Sequence, residues 1–279
     1  MRIGDIEVHS LSAGTLRLDG GSMFGVVPRL LWEKKAPPDE KHRILLDTRV
    51  LLVRAGGVNL LVDTGVGPKE DEKFRETYAV APWRLPEALQ EHGLSPGEIH
   101  VVVNTHLHFD HAGGNTRLGE GGRVEAAFPN AVYVVQRKEW EEARAAHERN
   151  RASYLPWNYE PLFEQGRLRL AEGEEEVAPG VVLKPLPGHT LGMQGVLLRS
   201  RGETALYLGD LIPTRHHVPL PWIMAYDLHP TLTLETKRAL LPTAAREGWT
   251  LFFEHDPEVP AARLEETKPL VFAVHPVEG

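Results

Sequence analysis

The chain has 279 residues, of which 42% are hydrophobic and 25% charged, and its 39 acidic and 31 basic side chains give a formal charge of −8. These are globular values, which exclude a fibrous, collagen-like or wholly disordered chain, and the length is enough to fold without a disulfide or structural metal. The acidic balance argues against nucleic acid as a partner, and no apolar run approaches the roughly 18–20 residues that span a bilayer. With no secretion pattern at Met1-Arg2-Ile3-Gly4-Asp5, a soluble, cytoplasmic protein is expected, in one domain over residues 1–279.

In chain order, the segments Leu51–Val53 and Val58–Val62 flank Gly56-Gly57 and read as a hairpin ending at Asp63-Thr64-Gly65. Arg29 to Thr48, with paired lysines and prolines, reads as irregular. Leu85 to His92, closed by Gly93 and Pro96, predicts a short helix, and Ile99 to Asn104 a buried strand that stops where His106 begins. Ala131 to Val135 predicts a strand and Arg137 to Arg149 a helix, whereas Ser153 to Phe163 mixes aromatics with prolines and reads as a surface loop. Val181 to Pro185 is a strand leading to Pro187-Gly188-His189-Thr190, and Val196–Leu198 with Ala205–Leu208 forms a second hairpin ending at Gly209-Asp210. Glu235 to Arg246 predicts a helix, and Trp249 to Glu254 a strand delivering His255. Strands alternate with helices in both halves, which predicts a layered α/β architecture with a site on loops at one sheet edge.

The chemistry concentrates at those strand ends. His106, His108, Asp110 and His111 lie within six residues, and the chain has no cysteine, so any metal must be held by nitrogen and oxygen. In an extended turn His106 and His108 can address one point while Asp110 and His111 address its neighbour. Two adjacent divalent ions fit this layout. Two such ions need roughly six ligands or a shared one. The best further candidates are His189, Asp210 and His255, with His275 the competing position for the last.

The run His106-Leu107-His108-Phe109-Asp110-His111 resembles the His-x-His-x-Asp-His signature of the metallo-β-lactamase superfamily. Asp63 in Val-Asp-Thr-Gly, His189 in Pro-Gly-His-Thr, Asp210 in Leu-Gly-Asp and His255 follow in the order that family requires. The resemblance implies a four-layer αββα sandwich with metals at the edge where its two sheets meet. It implies His106, His108 and His189 as ligands of a first ion and Asp110, His111 and His255 as ligands of a second, with Asp210 bridging both. Zinc is the expected metal, and iron or manganese suit the same donors.

The expected chemistry is attack by a hydroxide held between the ions on a small-molecule substrate, with Asp110 accepting or relaying the proton. Asp63 is the candidate partner for the far nitrogen of a ligand imidazole. Tyr226, and His216 beside a ligand loop, are candidate substrate contacts. The stretch Asn104 to Asn115 is similar to the corresponding stretch of acyl-homoserine lactone lactonases, next to which stand organophosphate hydrolases. One departure stands out. Those lactonases place a tyrosine three residues after the bridging aspartate, where this chain has Pro213. The leading expectation is a lactone or ester hydrolase. A phosphoester or phosphotriester hydrolase and a non-hydrolytic di-iron redox or binding protein are the alternatives.

Overall fold

The computed structural model describes residues 1–277. The strands of the first half are β1 (Arg2–Ile3), β2 (Ile6–Asp19), β3 (Arg43–Ala55), β4 (Val58–Val62), β5 (Val101–Val103), a separate hairpin β6 (Thr116–Leu118) and β7 (Val124–Ala126), then β8 (Val132–Gln136) and β9 (Leu168–Ala171). The second half runs β10 (Glu175–Ala178), β11 (Val181–Pro185), β12 (Gln194–Ser200), β13 (Glu203–Tyr207), β14 (Thr250–Phe252), β15 (Ala261–Lys268) and β16 (Val271–Pro276). Two seven-stranded sheets result, in the orders β1-β2-β3-β4-β5-β8-β9 and β10 through β16. Helices are α1 (Gly20–Phe24), α2 (Arg29–Trp32), α3 (Glu72–Tyr78), α4 (Leu85–Glu91), α5 (Phe109–Ala112), α6 (Arg137–Arg144), α7 (Glu160–Glu164) and α8 (Pro230–Arg246).

Side chains alternate across a pleated strand, so an apolar run buried on both faces feeds two different cores. Leu51, Val53, Leu60, Val62, Val103 and Val134 meet Val196, Leu198, Ala205, Tyr207 and Phe252 between the sheets. Their neighbours Val50, Leu52, Leu61, Val102, Tyr133 and Val135 pack outward against Leu85 and Leu89 of α4, Trp140 of α6 and Leu162 of α7. On the opposite side Leu197, Leu206, Leu251 and Phe253 pack against Leu240, Leu241 and Ala244 of α8. Helix, sheet, sheet and helix therefore stack in four layers, the αββα sandwich expected. No helix among the described residues is long and apolar enough to cross a membrane.

The β3–β4 turn needs a positive φ at both central residues, and Gly56 (φ 57°) and Gly57 (φ 82°) supply it. Strands β4, β5, β8 and β9 pair in parallel, as do β13 and β14. Their carboxyl ends point to one edge, where Asp63, the 104–111 turn, Asp210 and His255 emerge.

Several boundaries depart from the sequence reading. Arg29 to Thr48 is only partly irregular, because it contains α2 and the first residues of β3. Helix α6 stops at Arg144 rather than Arg149, since the chain turns at His147–Asn150, where the Asn150 side-chain oxygen accepts the His147 N–H at 2.8 Å. Helix α8 begins earlier than expected, at Pro230, whose fixed φ and missing N–H suit a first helical position. Ser153 to Phe163 carries α7 and runs beside the site: Ser153 accepts the Phe109 N–H at 2.9 Å, and Tyr154 bridges to His108.

Candidate metal centre

Asp63 ends β4 in a left-handed conformation (φ 61°), a strain aspartate tolerates better than most residues. This turn aims its carboxylate at the segment after β5: Oδ1 accepts the Thr105 N–H at 2.7 Å, and Oδ2 accepts the Thr105 hydroxyl at 2.7 Å. The loops after β4 and β5 then run backbone against backbone. A Cβ on Gly113 would lie 2.0 Å from the Val66 carbonyl oxygen, so only glycine allows the approach that seats His111.

The residues brought together are His106, His108, Asp110, His111, His189, Asp210 and His255, all nearly or fully buried. They form overlapping groups, His106–His108–His189, His106–His111–Asp210 and Asp110–His111–His255, in each of which one donor atom per residue lies within 4.8 Å of the others. Asp210 sits between them. Its Oδ2 is 3.3 Å from His189 Nε2, and its Oδ1 is 3.1 Å from His255 Nε2 and 3.6 Å from His111 Nε2. The Asp110 carboxylate lies 3.8 Å from His111 Nε2 and 3.7 Å from His255 Nε2, and opens onto a cavity of about 320 Å³.

The far nitrogens of these rings are engaged by the protein. His189 Nδ1 donates to Asp227 at 2.9 Å, His255 Nδ1 to the Asp47 carbonyl at 2.7 Å, and His111 Nδ1 to Asp63 at 3.2 Å. His106 Nδ1 is 3.0 Å from the Thr105 hydroxyl, which already donates to Asp63 and so accepts here. Each of these four rings is thereby fixed in the tautomer that leaves a lone pair on Nε2, facing inward.

That arrangement fits a cation. His189 Nε2 lies 3.0 Å from His108 Nδ1, and His111 Nε2 lies 3.3 Å from His255 Nε2. His106 Nε2 and Asp210 Oδ1 are buried with no hydrogen-bond partner among the described residues. Lone pairs converging at such distances in a dry interior repel unless a proton or a metal ion stands between them. Burial holds His106 and His108 well below the usual imidazole range, which favours neutral rings with one nitrogen lone pair free. Burial also opposes charge on Asp210, yet His111, His255 and His189 overcome it and hold its carboxyl well below the usual range.

Three buried carboxyl groups around this centre escaped the sequence reading. Asp227 orients His189. Glu254, immediately before His255, lies 2.9 Å from His111 Nδ1 but off hydrogen-bonding geometry, and burial pushes its carboxyl up to about 8. Glu139 lies under the His106–His108 turn, and burial pushes it up to about 7. Glu254 had a legible signal, an acid at the end of the apolar run Leu251-Phe252-Phe253. Asp227 and Glu139 had none, since only the folded chain brings them near.

Tyr226 lines the cavity beside Asp110, together with Tyr78, Phe109 and Met224. Arg149 fixes that rim by donating to the carbonyls of Ala225 at 2.8 Å and Asp227 at 3.2 Å. His216 is not brought there. The turn Arg215–His217 sends His217 inward, stacked on Phe24 and donating to the Met23 carbonyl at 2.8 Å, and leaves His216 lining a separate cavity of about 240 Å³. His275 sits exposed on β16 beside Glu265. Pro213, in place of the lactonase tyrosine, accepts the His255 N–H at 2.9 Å through its carbonyl.

A family model described as the Metallo-beta-lactamase superfamily matches residues 44–255. An N-acyl homoserine lactonase of Bacillus thuringiensis is 31% identical over 179 residues, which make up 63% of this chain and 63% of that enzyme, so the chain spans under two thirds of its length. Among solved structures, a probable metal-dependent hydrolase from Staphylococcus aureus is 32% identical and superimposes with a TM-score of 0.91 over 100% of this chain and 99% of that one. An N-acyl homoserine lactone hydrolase, solved with N-hexanoyl-L-homoserine bound at its catalytic metal centre, is 26% identical, with a TM-score of 0.69 over 92% and 95% of the two chains.

Proposed function

Because the chain belongs to the metallo-beta-lactamase superfamily, we propose that it is a metal-dependent hydrolase acting on a lactone or small ester. His106, His108 and His189 hold one divalent ion, Asp110, His111 and His255 hold a second, and Asp210 joins them. The observation that carries this reading is Asp210 itself, which turns one carboxylate oxygen to each group of imidazoles. Zinc suits this set of nitrogen and oxygen donors, as do iron and manganese. Bound there, two divalent ions supply a hydroxide nucleophile near neutral pH and polarise the oxygen under attack.

The chain's own residues do the rest. Asp110 takes up the proton of the hydroxide once its oxygen has bonded to the carbonyl carbon, and delivers it to the alkoxide oxygen as the acyl carbon–oxygen bond breaks, leaving a carboxylate and an alcohol. Its place on the cavity wall lets it reach both. The apolar side chains of Leu18, Met23, Phe109 and Met224 on the cavity wall suit the apolar part of a neutral or modestly polar substrate. The lactonase names of the relatives make N-acyl homoserine lactones the first substrates to try.

Tyr226 stands in for the tyrosine that Pro213 replaces. Burial pushes its phenol up to about 12, so it remains a donor at neutral pH and can serve the substrate carbonyl from the cavity wall. Tyr226→Phe is expected to lower kcat about a hundredfold, the effect of losing one donor to a developing oxyanion, with metal content unchanged. An unaltered kcat would remove Tyr226 from the reaction.

A substrate panel tests the reading as a whole: an N-acyl homoserine lactone, γ-butyrolactone, p-nitrophenyl acetate and p-nitrophenyl phosphate, each with zinc, manganese or iron supplied. Turnover of lactone or acetate ahead of phosphate is expected. Phosphate turnover without acyl turnover would make the protein a phosphoesterase, and redox-active iron without hydrolysis would make it the non-hydrolytic alternative.

A further inference from the structure

We propose that Glu139 is a positioning residue for one half of the metal centre: its carboxylate ties the His106–His108 turn to the His189 loop and sets the first group of imidazoles without touching the second. The inference rests on the reading of the two groups as metal ligands.

Glu139 lies in the first turn of α6, with its side chain fully buried. Oε1 accepts the Leu107 N–H at 2.9 Å and the Tyr154 hydroxyl at 3.0 Å, while Oε2 accepts the Thr190 hydroxyl at 2.5 Å. Leu107 is the residue between His106 and His108. Thr190 follows His189. Tyr154 packs its ring on His108, with centroids 4.6 Å apart. Every imidazole of the first group is thus adjacent to a group that Glu139 holds.

The start of α6 is shaped to receive the His189 loop. A Cβ on Gly192 would lie 2.0 Å from the Glu139 backbone nitrogen, so the loop presses directly on the helix, and Glu142 accepts the Leu191 N–H at 2.9 Å. The second group depends on other residues: Asp63 and Glu254 beside His111, and the Asp47 carbonyl behind His255. Three donors converging on the two oxygens also account for a buried carboxyl group here, with no cationic side chain paired to it among the described residues.

The separation of the two supports makes the test selective. In a His255→Ala background only the first group is complete, and in a His189→Ala background only the second. Zinc affinity is read by competition with a chromophoric chelator. Glu139→Ala is expected to weaken zinc binding about tenfold or more in the first background and less than about threefold in the second, the scale seen when a group supporting a metal ligand is lost. Glu139→Gln should restore it, because the amide oxygen still accepts from Leu107 and Tyr154 while the amide N–H donates to the Thr190 hydroxyl oxygen. If Glu139→Ala does not fold, Thr190→Val severs only the His189 side and should weaken the first background alone. Equal weakening in both backgrounds, or none in the first, would overturn the proposal. A background that binds no zinc at all would instead overturn the ligand reading of its group, and with it the inference drawn from that reading.

Discussion

Asp210→Ala is expected to lower turnover by about a thousandfold or more, the scale of loss when one member of a catalytic unit is removed, and to reduce the metal bound per chain. The side chain is the only carboxylate whose oxygens approach both His189 and His255 among the described residues, at 3.3 Å and 3.1 Å. Without it, two divalent charges would face each other across a buried space with no anion between them. Asp210→Asn separates charge from shape. It preserves volume but replaces one acceptor oxygen with a donor that no cation accepts, so it should lose metal nearly as completely. Metal counted by elemental analysis alongside lactone or ester turnover checks both variants. Full activity with an unchanged metal content in either would remove Asp210 from the bridging position.

How much of this was legible in the sequence follows from how far apart the cooperating residues lie. The His106–His111 run needs only one turn of chain to converge, so residue spacing alone exposes it. His189, Asp210 and His255 were legible for a different reason: each follows an apolar strand, and polar residues stranded at strand ends in an α/β layer gather at one sheet edge. The supporting groups had neither advantage. Glu139 looks like one more charge on an amphipathic helix, and Asp227 like one more loop aspartate; each is separated from its partner by tens of residues. His216 shows the converse error. Nearness in sequence to Asp210 suggested a substrate contact, but a single 3-10 turn rotated the side chain into another cavity.

The strands show the same division. The β3–β4 hairpin is local, with its turn glycines and alternating apolar residues in view, and it formed as read. The fourteen-residue strand β2 did not stand out, because its alternation is broken twice, by the consecutive polar residues His9 and Ser10 and by a register shift between Ser12 and Thr15 at Gly14. Its identity depends on pairing with β3, and only the folded sheet supplies that partner. Strand β3 likewise starts eight residues before the hairpin segment because β2 continues alongside it as far as Asp19. Strand β3 carries Asp47, whose carbonyl holds His255, so a part of the scaffold that the sequence left obscure sets one of the candidate ligands most distant from the local motif.

Stripping the metal is expected to destabilise the fold as well as stop the chemistry. Without metal, each group crowds imidazoles and carboxylates into a buried space where only protons can take the place of a cation, and an ion that relieves this would bind the folded chain alone. An ion present at a thousand times its Kd stabilises by about 4 kcal/mol, and at roughly 2–4 °C per kcal/mol a chelated sample should melt roughly 10 °C lower. The gap should depend on pH with a definite sign. In the metal-free chain burial disfavours charge on His255, but Asp210 outweighs it and pushes the imidazole up to about 9, above its ordinary value near 6.5. A raised folded-state pKa stabilises fully below pH 6.5, and that stabilisation is lost as pH climbs through 9. The metal takes the place of that proton, so the loaded protein escapes this loss, and the difference in Tm between loaded and chelated samples should widen from pH 6.5 to 9. Melting curves with and without a chelator across that range, followed by zinc add-back, check the prediction. A chelated protein that melts with the loaded one at every pH would show that no ion is held by these residues.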